Sequence, residues 1–309
     1  MKSFSKQVKS EIVSVTRDRK SNKSELSALV QILGTVSLSN KKTTLLIKTE
    51  NPDTARFVLK LLKDFYDVEV QMSYIQKVKL NKNKVYLIRV LNKAKEILED
   101  LELLDNNGFT GHPSRSLTGT KPKAEAYLAG CFLAAGSVND PKKSDYHLEI
   151  GVNKEELAEY ILKTMKRLKL PAKMIQRRKQ YVVYLKAVDY INDFLVYIGA
   201  NECALAYADI KIRRDYYNSI TRLDNCETAN IVKSIQTGQK QLNAIDKLIE
   251  SGKFDKLNDK LKEAAILRME NPEAPLSELS DLYYEKHGKE LSKSGIKHRL
   301  EKLVDLAES

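Results

Sequence analysis

Apolar residues along the first two thirds of the chain follow a pattern that occurs twice. TLLIKTENPDTARFVLKLLKDF from Thr44 and YHLEIGVNKEELAEYILKTMKRL from Tyr146 each open on an apolar run, break at an Asn, and continue with apolar residues three and four apart. The first part predicts a strand and the second an amphipathic helix. Phe57, Leu61, Leu62 and Phe65 form the helical stripe in one copy, and Leu157, Tyr160, Ile161, Leu162 and Met165 in the other. Two short apolar runs follow each helix, VEVQMSYI and KVYLIRVL in the first copy, AKMIQR and YVVYLKAV in the second, and both pairs read as antiparallel hairpins. Each copy closes on a helix, Lys93 to Leu103 and Val188 to Tyr197.

A further helical segment precedes each copy. Leu26-Ser-Ala-Leu-Val-Gln-Ile-Leu-Gly34 and Leu128-Ala-Gly-Cys-Phe-Leu-Ala-Ala-Gly136 stand 102 residues apart, the same offset as Asn51 and Asn153. The unit is therefore α-β-β-α-β-β-α, used twice, which predicts an α+β pseudo-two-fold saddle. Ser27, Ala28 and Gly34 in one helix, and Ala129, Gly130, Ala134, Ala135 and Gly136 in the other, let two backbones approach closely, so these helices are expected to pack on each other. The boundaries read as an N-terminal helix over 1–22, a first repeat over 23–105, a linker over 106–123 and a second repeat over 124–205. The linker is rich in Gly, Ser, Thr and Pro.

Beyond the repeats the pattern becomes purely helical. Residues 206–225 read as a basic, Tyr-bearing connector, and a long helix is expected from an Asn225 cap to Gly252. Three shorter helices follow over Leu257–Met269, Ser277–Glu285 and Ser292–Leu306, within a helical domain at 226–309. The last two are joined by Lys286-His-Gly-Lys-Glu-Leu291, which is a helix-turn-helix pattern at about 275–308.

Charge points to a class of partner through its location along the chain. The 309 residues carry a net charge of +12, of which +9 falls in residues 1–125, +4 in 126–225 and −1 in 226–309. Such a field attracts polyanions, although lysine-rich surfaces are also simply solvated. Three scattered cysteines (Cys131, Cys203, Cys226) match neither a disulfide framework nor a zinc spacing, and fit a reducing, cytoplasmic setting. No apolar run approaches a membrane span. Four histidines are too scattered for a metal cluster, no phosphate-binding glycine fingerprint exists, and no cofactor is expected. Cys226, beside the expected helix start, reads as buried or capping.

In the last helix, Ile296, Leu300 and Leu303 form the inner stripe, which leaves Lys293, Ser294, Lys297 and His298 on the outer face and Arg299 on a flank. Ser292 is a candidate N-cap. A helix entering the major groove by its first turns needs such short polar and basic side chains, so Ser292, Lys293, Ser294, Lys297, His298, Arg299 and Lys302 are the candidate contacts to double-stranded DNA. Arg213, Arg214 and Arg222 are candidate phosphate contacts. The competing reading is a helical domain whose charged face is solvated.

The duplicated Leu26–Gly34 and Leu128–Gly136 segments, each leading into the repeat, resemble the homing endonucleases named for their LAGLIDADG motif. That resemblance implies a metal-binding acid just before the final Gly, where this chain carries Leu33 and Ala135, so nuclease chemistry and a metal are not expected. With the helix-turn-helix, and with Tyr127–Pro141, Tyr146–Ile150, Asn225–Lys233 and Ser292–Leu300, nearly the whole chain resembles the WhiA family of bacterial DNA-binding proteins. The resemblance implies a non-enzymatic, nucleoid-associated transcription regulator in cell division and chromosome segregation, acting on promoter DNA and with other transcription or division proteins. Two departures stand out: Ala129 occupies a position where the family carries Arg, and the connector's Arg222-Leu-Asp-Asn225-Cys226 is shifted from the family pattern. The alternatives are a protein-interaction or chromosome-associated module on the degenerate nuclease scaffold and an active site-specific endonuclease.

Overall fold

A computed structural model describes residues 3–39, 42–76, 84–105, 108–110, 112, 115–143 and 145–309. The first two residues of the expected N-terminal helix, the turn of the first hairpin and parts of the expected 106–123 linker lie outside them. The chain forms two compact units, one up to Arg214 and the other Asp215–Ser309. Each has its own apolar core.

The first unit opens with α1 (Phe4–Ile12), shorter than the expected helix over 1–22. The chain then breaks, because Asp18 begins a new helix by accepting the backbone N–H groups of Lys20 and Ser21 at 2.9 and 3.0 Å. Next come α2 (Arg19–Leu33), β1 (Gly34–Ser39), β2 (Lys42–Thr49), α3 (Pro52–Phe65), β3 (Val70–Gln76), β4 (Lys84–Val90) and α4 (Ala94–Asp100). A two-residue pair, β5 (Leu104–Asp105) and β6 (Gly108–Phe109), leads to the second copy. That copy is α5 (Lys121–Ala135), β7 (Gly136–Val138), β8 (Leu148–Val152), α6 (Glu155–Arg167), β9 (Lys173–Arg177), β10 (Gln180–Leu185) and α7 (Val188–Tyr197). Both sheets are antiparallel with equivalent order, β1-β2-β4-β3 and β7-β8-β10-β9. Gly34 faces Ile47 in one and Gly136 faces Ile150 in the other; the glycines are 102 residues apart and the isoleucines 103, so the second copy carries one extra residue between its motif Gly and the paired strand.

The two breaks are built differently. Asn51 caps α3 through its side chain, accepting from the N–H groups of Asp53 and Thr54. Lys154 stands at the cap of α6 with no side-chain bond, while the Asn153 side chain accepts from Gln180 across the sheet at 3.4 Å. The expected linker is not free chain throughout. Arg115–Leu117 form a 3-10 turn, Leu117 and Thr118 are buried, Arg167 donates to the Thr118 carbonyl, and His112 stacks on Tyr160 at 5.0 Å.

Helices α2 and α5 meet at the centre of the unit, as their small residues predict. A Cβ on Gly130 would lie 2.4 Å from the Glu25 carbonyl oxygen, and buried Tyr127 donates to Gln31 Oε1 at 2.8 Å. Glu25 itself is buried beside this crossing. Arg17 Nε donates to its Oε2 at 3.0 Å, while Oε1 has no partner among the described residues. Burial pushes this carboxyl up from 4.5 to about 7, with Arg17 opposing. The folded state therefore holds the proton more tightly than the unfolded chain. Its contribution is present below the ordinary carboxylate value and is lost as pH rises through about 7. Glu25→Gln should remove that loss, about 3 kcal/mol at most. Urea midpoints at pH 5 and pH 8 should diverge for the parent and stay together for the variant, and parallel behaviour would sink the assignment.

The largest departure from the expected elements is α8 (Asn201–Glu250), a single 50-residue helix. It replaces both the connector over 206–225 and the helix expected to begin at Asn225. No Gly or Pro interrupts residues 201–237, and Gly199, at φ +86°, is the break that precedes it. Cys226 is correspondingly exposed in mid-helix, neither buried nor capping. The second unit continues with a 3-10 turn at Phe254–Lys256, then α9 (Asp259–Glu270), α10 (Leu276–His287) and α11 (Lys293–Glu308). Ile245, Leu248, Leu261, Leu279, Tyr283, Ile296 and Leu300 are central to its core. No helix among the described residues is long and apolar enough to cross a membrane.

Candidate nucleic-acid interface

The turn between α10 and α11 is closed by Gly288 in the left-handed region at φ +60°, where its N–H donates to the Tyr284 carbonyl at 2.8 Å. Ser292 then caps α11, accepting from the Gly295 N–H at 3.2 Å. Ile296, Leu300 and Leu303 are at most 1% exposed, which fixes the rotation of the helix. By helical periodicity Ser294 and His298 stand opposite that buried stripe, with Lys293 and Lys297 toward one side. Lys297 lies 3.5 Å from Glu301, an exposed pair that holds it weakly. Glu301 and Asp305 continue the outer face, so its cationic part is confined to the first two turns.

Two of the candidate contacts are placed elsewhere. Arg299 turns back into the bundle: its guanidinium donates to the Lys260 carbonyl and the Tyr283 hydroxyl, both at 3.2 Å, and lies 3.6 Å from Glu263. Tyr283 in turn donates to Glu263 at 2.7 Å, and the Arg299 side chain is only 17% exposed. It positions α11 rather than sharing its outer face. Lys302 borders a groove of about 490 Å³ with Lys253, Lys256 and Leu306, away from the first turns. Ser292, Lys293, Ser294, Lys297 and His298 therefore remain together at one end of one helix.

The three arginines of α8 do not form a patch. Arg213 and Arg222 are nine residues apart, which places them on opposite sides of a helix. Arg214 donates to the Lys143 carbonyl and lies over the Tyr146 ring at 5.2 Å. Sequence reading missed Arg268, which is 2% exposed and holds the α9–α10 turn through Nη1, donating to the carbonyls of Ala274, Asn271 and Pro272 at 2.7, 3.3 and 3.4 Å. Its signal was a charge at the third position of the Leu261, Ala265, Arg268 stripe. Also missed were Asp281, Glu285 and Glu290, acids lining a groove between α10 and the start of α11. They repel phosphate on that side.

In the first unit, Leu33 and Ala135 sit half-buried at the last turns of α2 and α5. Hydrocarbon side chains cannot ligate a divalent cation, so the residues at these positions do not fit the metal that the nuclease resemblance implies. Among the described residues no three His, Cys, Asp or Glu side chains gather where they could hold a metal.

Two LAGLIDADG-like repeats with acid-free motif ends, followed by a helix-turn-helix, define a nuclease-type scaffold joined to a DNA-reading type of domain. Family models agree along the chain: the WhiA N-terminal LAGLIDADG-like domain matches residues 19–104, the WhiA LAGLIDADG-like domain 124–217 and the WhiA C-terminal HTH domain 220–307. Two proteins named "Probable cell division protein WhiA", from Staphylococcus aureus strains JH9 and Newman, are each 40% identical over 306 residues, covering 99% of this chain and 96% of the relative. The crystal structure of full-length DUF199/WhiA from Thermatoga maritima shares the fold, with a TM-score of 0.61 and 24% identity over 99% of this chain and 98% of that one. The chain belongs to the WhiA family.

Proposed function

We propose that this protein is a sequence-specific DNA-binding regulator that reads promoter DNA through the first two turns of α11, without cleaving it. The observation that carries the reading is the exposed set Lys293, Ser294, Lys297 and His298, held outward by the buried Ile296, Leu300 and Leu303. The helix-turn-helix family match and the name of the relatives support a role in cell division, extended here to chromosome segregation and an address on the nucleoid in the cytoplasm. Leu33 and Ala135 support the absence of nuclease activity. Other transcription or division proteins are proposed as partners, favoured by Tyr216, Tyr217, Ile220 and Leu223, which are exposed on α8.

The test is genome-wide recovery of DNA bound to the full chain, followed by titration of the recovered sites. Alanine at Lys293, Ser294 or Lys297 should weaken specific binding by about 1 to 3 kcal/mol for a side chain that reads a base. A side chain that holds phosphate should lower affinity alike on all sequences. With magnesium, supercoiled plasmid should stay intact. Unchanged affinity in the triple alanine variant, or broad recovery without discrete sites, would overturn the reading.

A further inference from the structure

The last turns of α2 and α5 open onto a cleft of about 1020 Å³, floored by Leu33, Leu133 and Ala134. This is the place where the nuclease resemblance implies metal-binding acids. Its walls carry Lys6 and Lys9 from α1, Lys48 from the end of β2 and Lys84 from the start of β4, against one carboxylate, Glu50. Three of these ammonium groups, on Lys6, Lys9 and Lys48, have neither a hydrogen-bond nor an ion-pair partner among the described residues, and that of Lys84 lies over the Tyr74 ring at 4.6 Å. Lys9 is the most enclosed: burial lowers its pKa to about 8, and its ammonium sits 5.8 Å from the Phe132 ring centroid. An enclosed ammonium without an anion is costly, and a surplus of three positive side chains in one cleft adds mutual repulsion. The N-terminal turn of α1, with Ser3 at its cap, also faces the cleft and adds the positive end of a helix dipole.

We propose that this cleft binds a phosphate group, presented by a nucleotide-sized ligand or by the DNA backbone, and holds it without hydrolysis. Four ammonium groups match the charge and the several acceptor oxygens of a phosphate ester, and lysine binds such groups as a point charge without demanding one planar geometry. The two lysines on α1 come from outside the duplicated unit, so this charge is an addition to the saddle and not part of its internal repeat. The site does not depend on α11 reading DNA.

The experiment uses the full chain and three variants: Lys6→Gln, Lys9→Met and Lys48→Glu. Lys48 is exposed, so Lys48→Glu keeps the test open if Lys9→Met fails to fold. Calorimetric titration with inorganic pyrophosphate and with ATP is compared with titration of random-sequence duplex DNA across a salt series. A nucleotide-sized ligand is supported when pyrophosphate or ATP binds the parent and at least one folded variant binds roughly ten-fold more weakly. The DNA backbone is supported when small phosphates do not bind but the salt slope of duplex binding falls by about one for each neutralised lysine. Equal behaviour of parent and all folded variants with every probe overturns the proposal. Failure of the α11 reading is separable: α11 variants lose site discrimination and keep binding in the cleft, whereas cleft variants keep the ratio of specific to random-sequence affinity.

Discussion

Gly130→Val is expected to unfold the saddle unit at temperatures where the parent is intact, at a cost of about 3 kcal/mol or more. The nearest atoms to a Cβ at this position are the Glu25 carbonyl oxygen at 2.4 Å and the Ala28 Cβ at 2.8 Å. Neither is the end of a flexible side chain, so α2 and α5 must separate, and separation exposes Leu26, Leu29, Tyr127 and Leu128, all now fully buried. Removing the smaller obstacle does not help: Ala28→Gly leaves the carbonyl in place and should not rescue the variant. Gly151→Ala is the control, because its Cβ would meet nothing closer than Gln180 Oε1 at 3.7 Å. Hydrogen exchange read residue by residue should show α2 and α5 losing protection in Gly130→Val while α9, α10 and α11 keep theirs, since the second unit has its own core. Native protection across α2 and α5 in that variant would refute the close crossing.

The same crossing shows why the saddle was legible from sequence. Small residues at helical spacing report a close backbone approach directly, and a 102-residue offset shared by Gly136 and Asn153 with Gly34 and Asn51 repeats it. Local chemistry decides those features. Helix α8 was misread because Asn225 looks like a cap, whereas a run of residues 201–237 without Gly or Pro has no reason to stop. The outer face of α11 was legible from its period, but Arg299 was not, since its partners Lys260, Glu263 and Tyr283 come from two other helices. The lysine cleft is the extreme case. Lys6 and Lys9, Lys48 and Lys84 lie in three distant stretches, and only folding brings them to the motif ends.

Arg268→Ala should have the corresponding effect on the second unit, lowering its stability by about 3 kcal/mol. Three carbonyls that close the α9–α10 turn share Nη1 of this side chain, and truncation leaves them without that donor. The guanidinium also lies against Gly238 of α8, 3.6 Å from where a Cβ would be, so the loss opens a cavity as well as a turn. Arg268→Met restores most of the volume and none of the donors, and should recover part of the stability. Arg268→Lys keeps a charged donor nitrogen but on a shorter, narrower side chain that leaves part of the guanidinium's space empty, and should fall between them. For a unit of this size, Asp215–Ser309, such a loss lowers the melting temperature by roughly 10 °C or more. Because α10 and its turn set the position of α11, DNA affinity should fall with the folded fraction of the second unit and recover on cooling. An alanine variant that melts like the parent yet binds DNA poorly would show that Arg268 serves the interface by some route other than holding this turn.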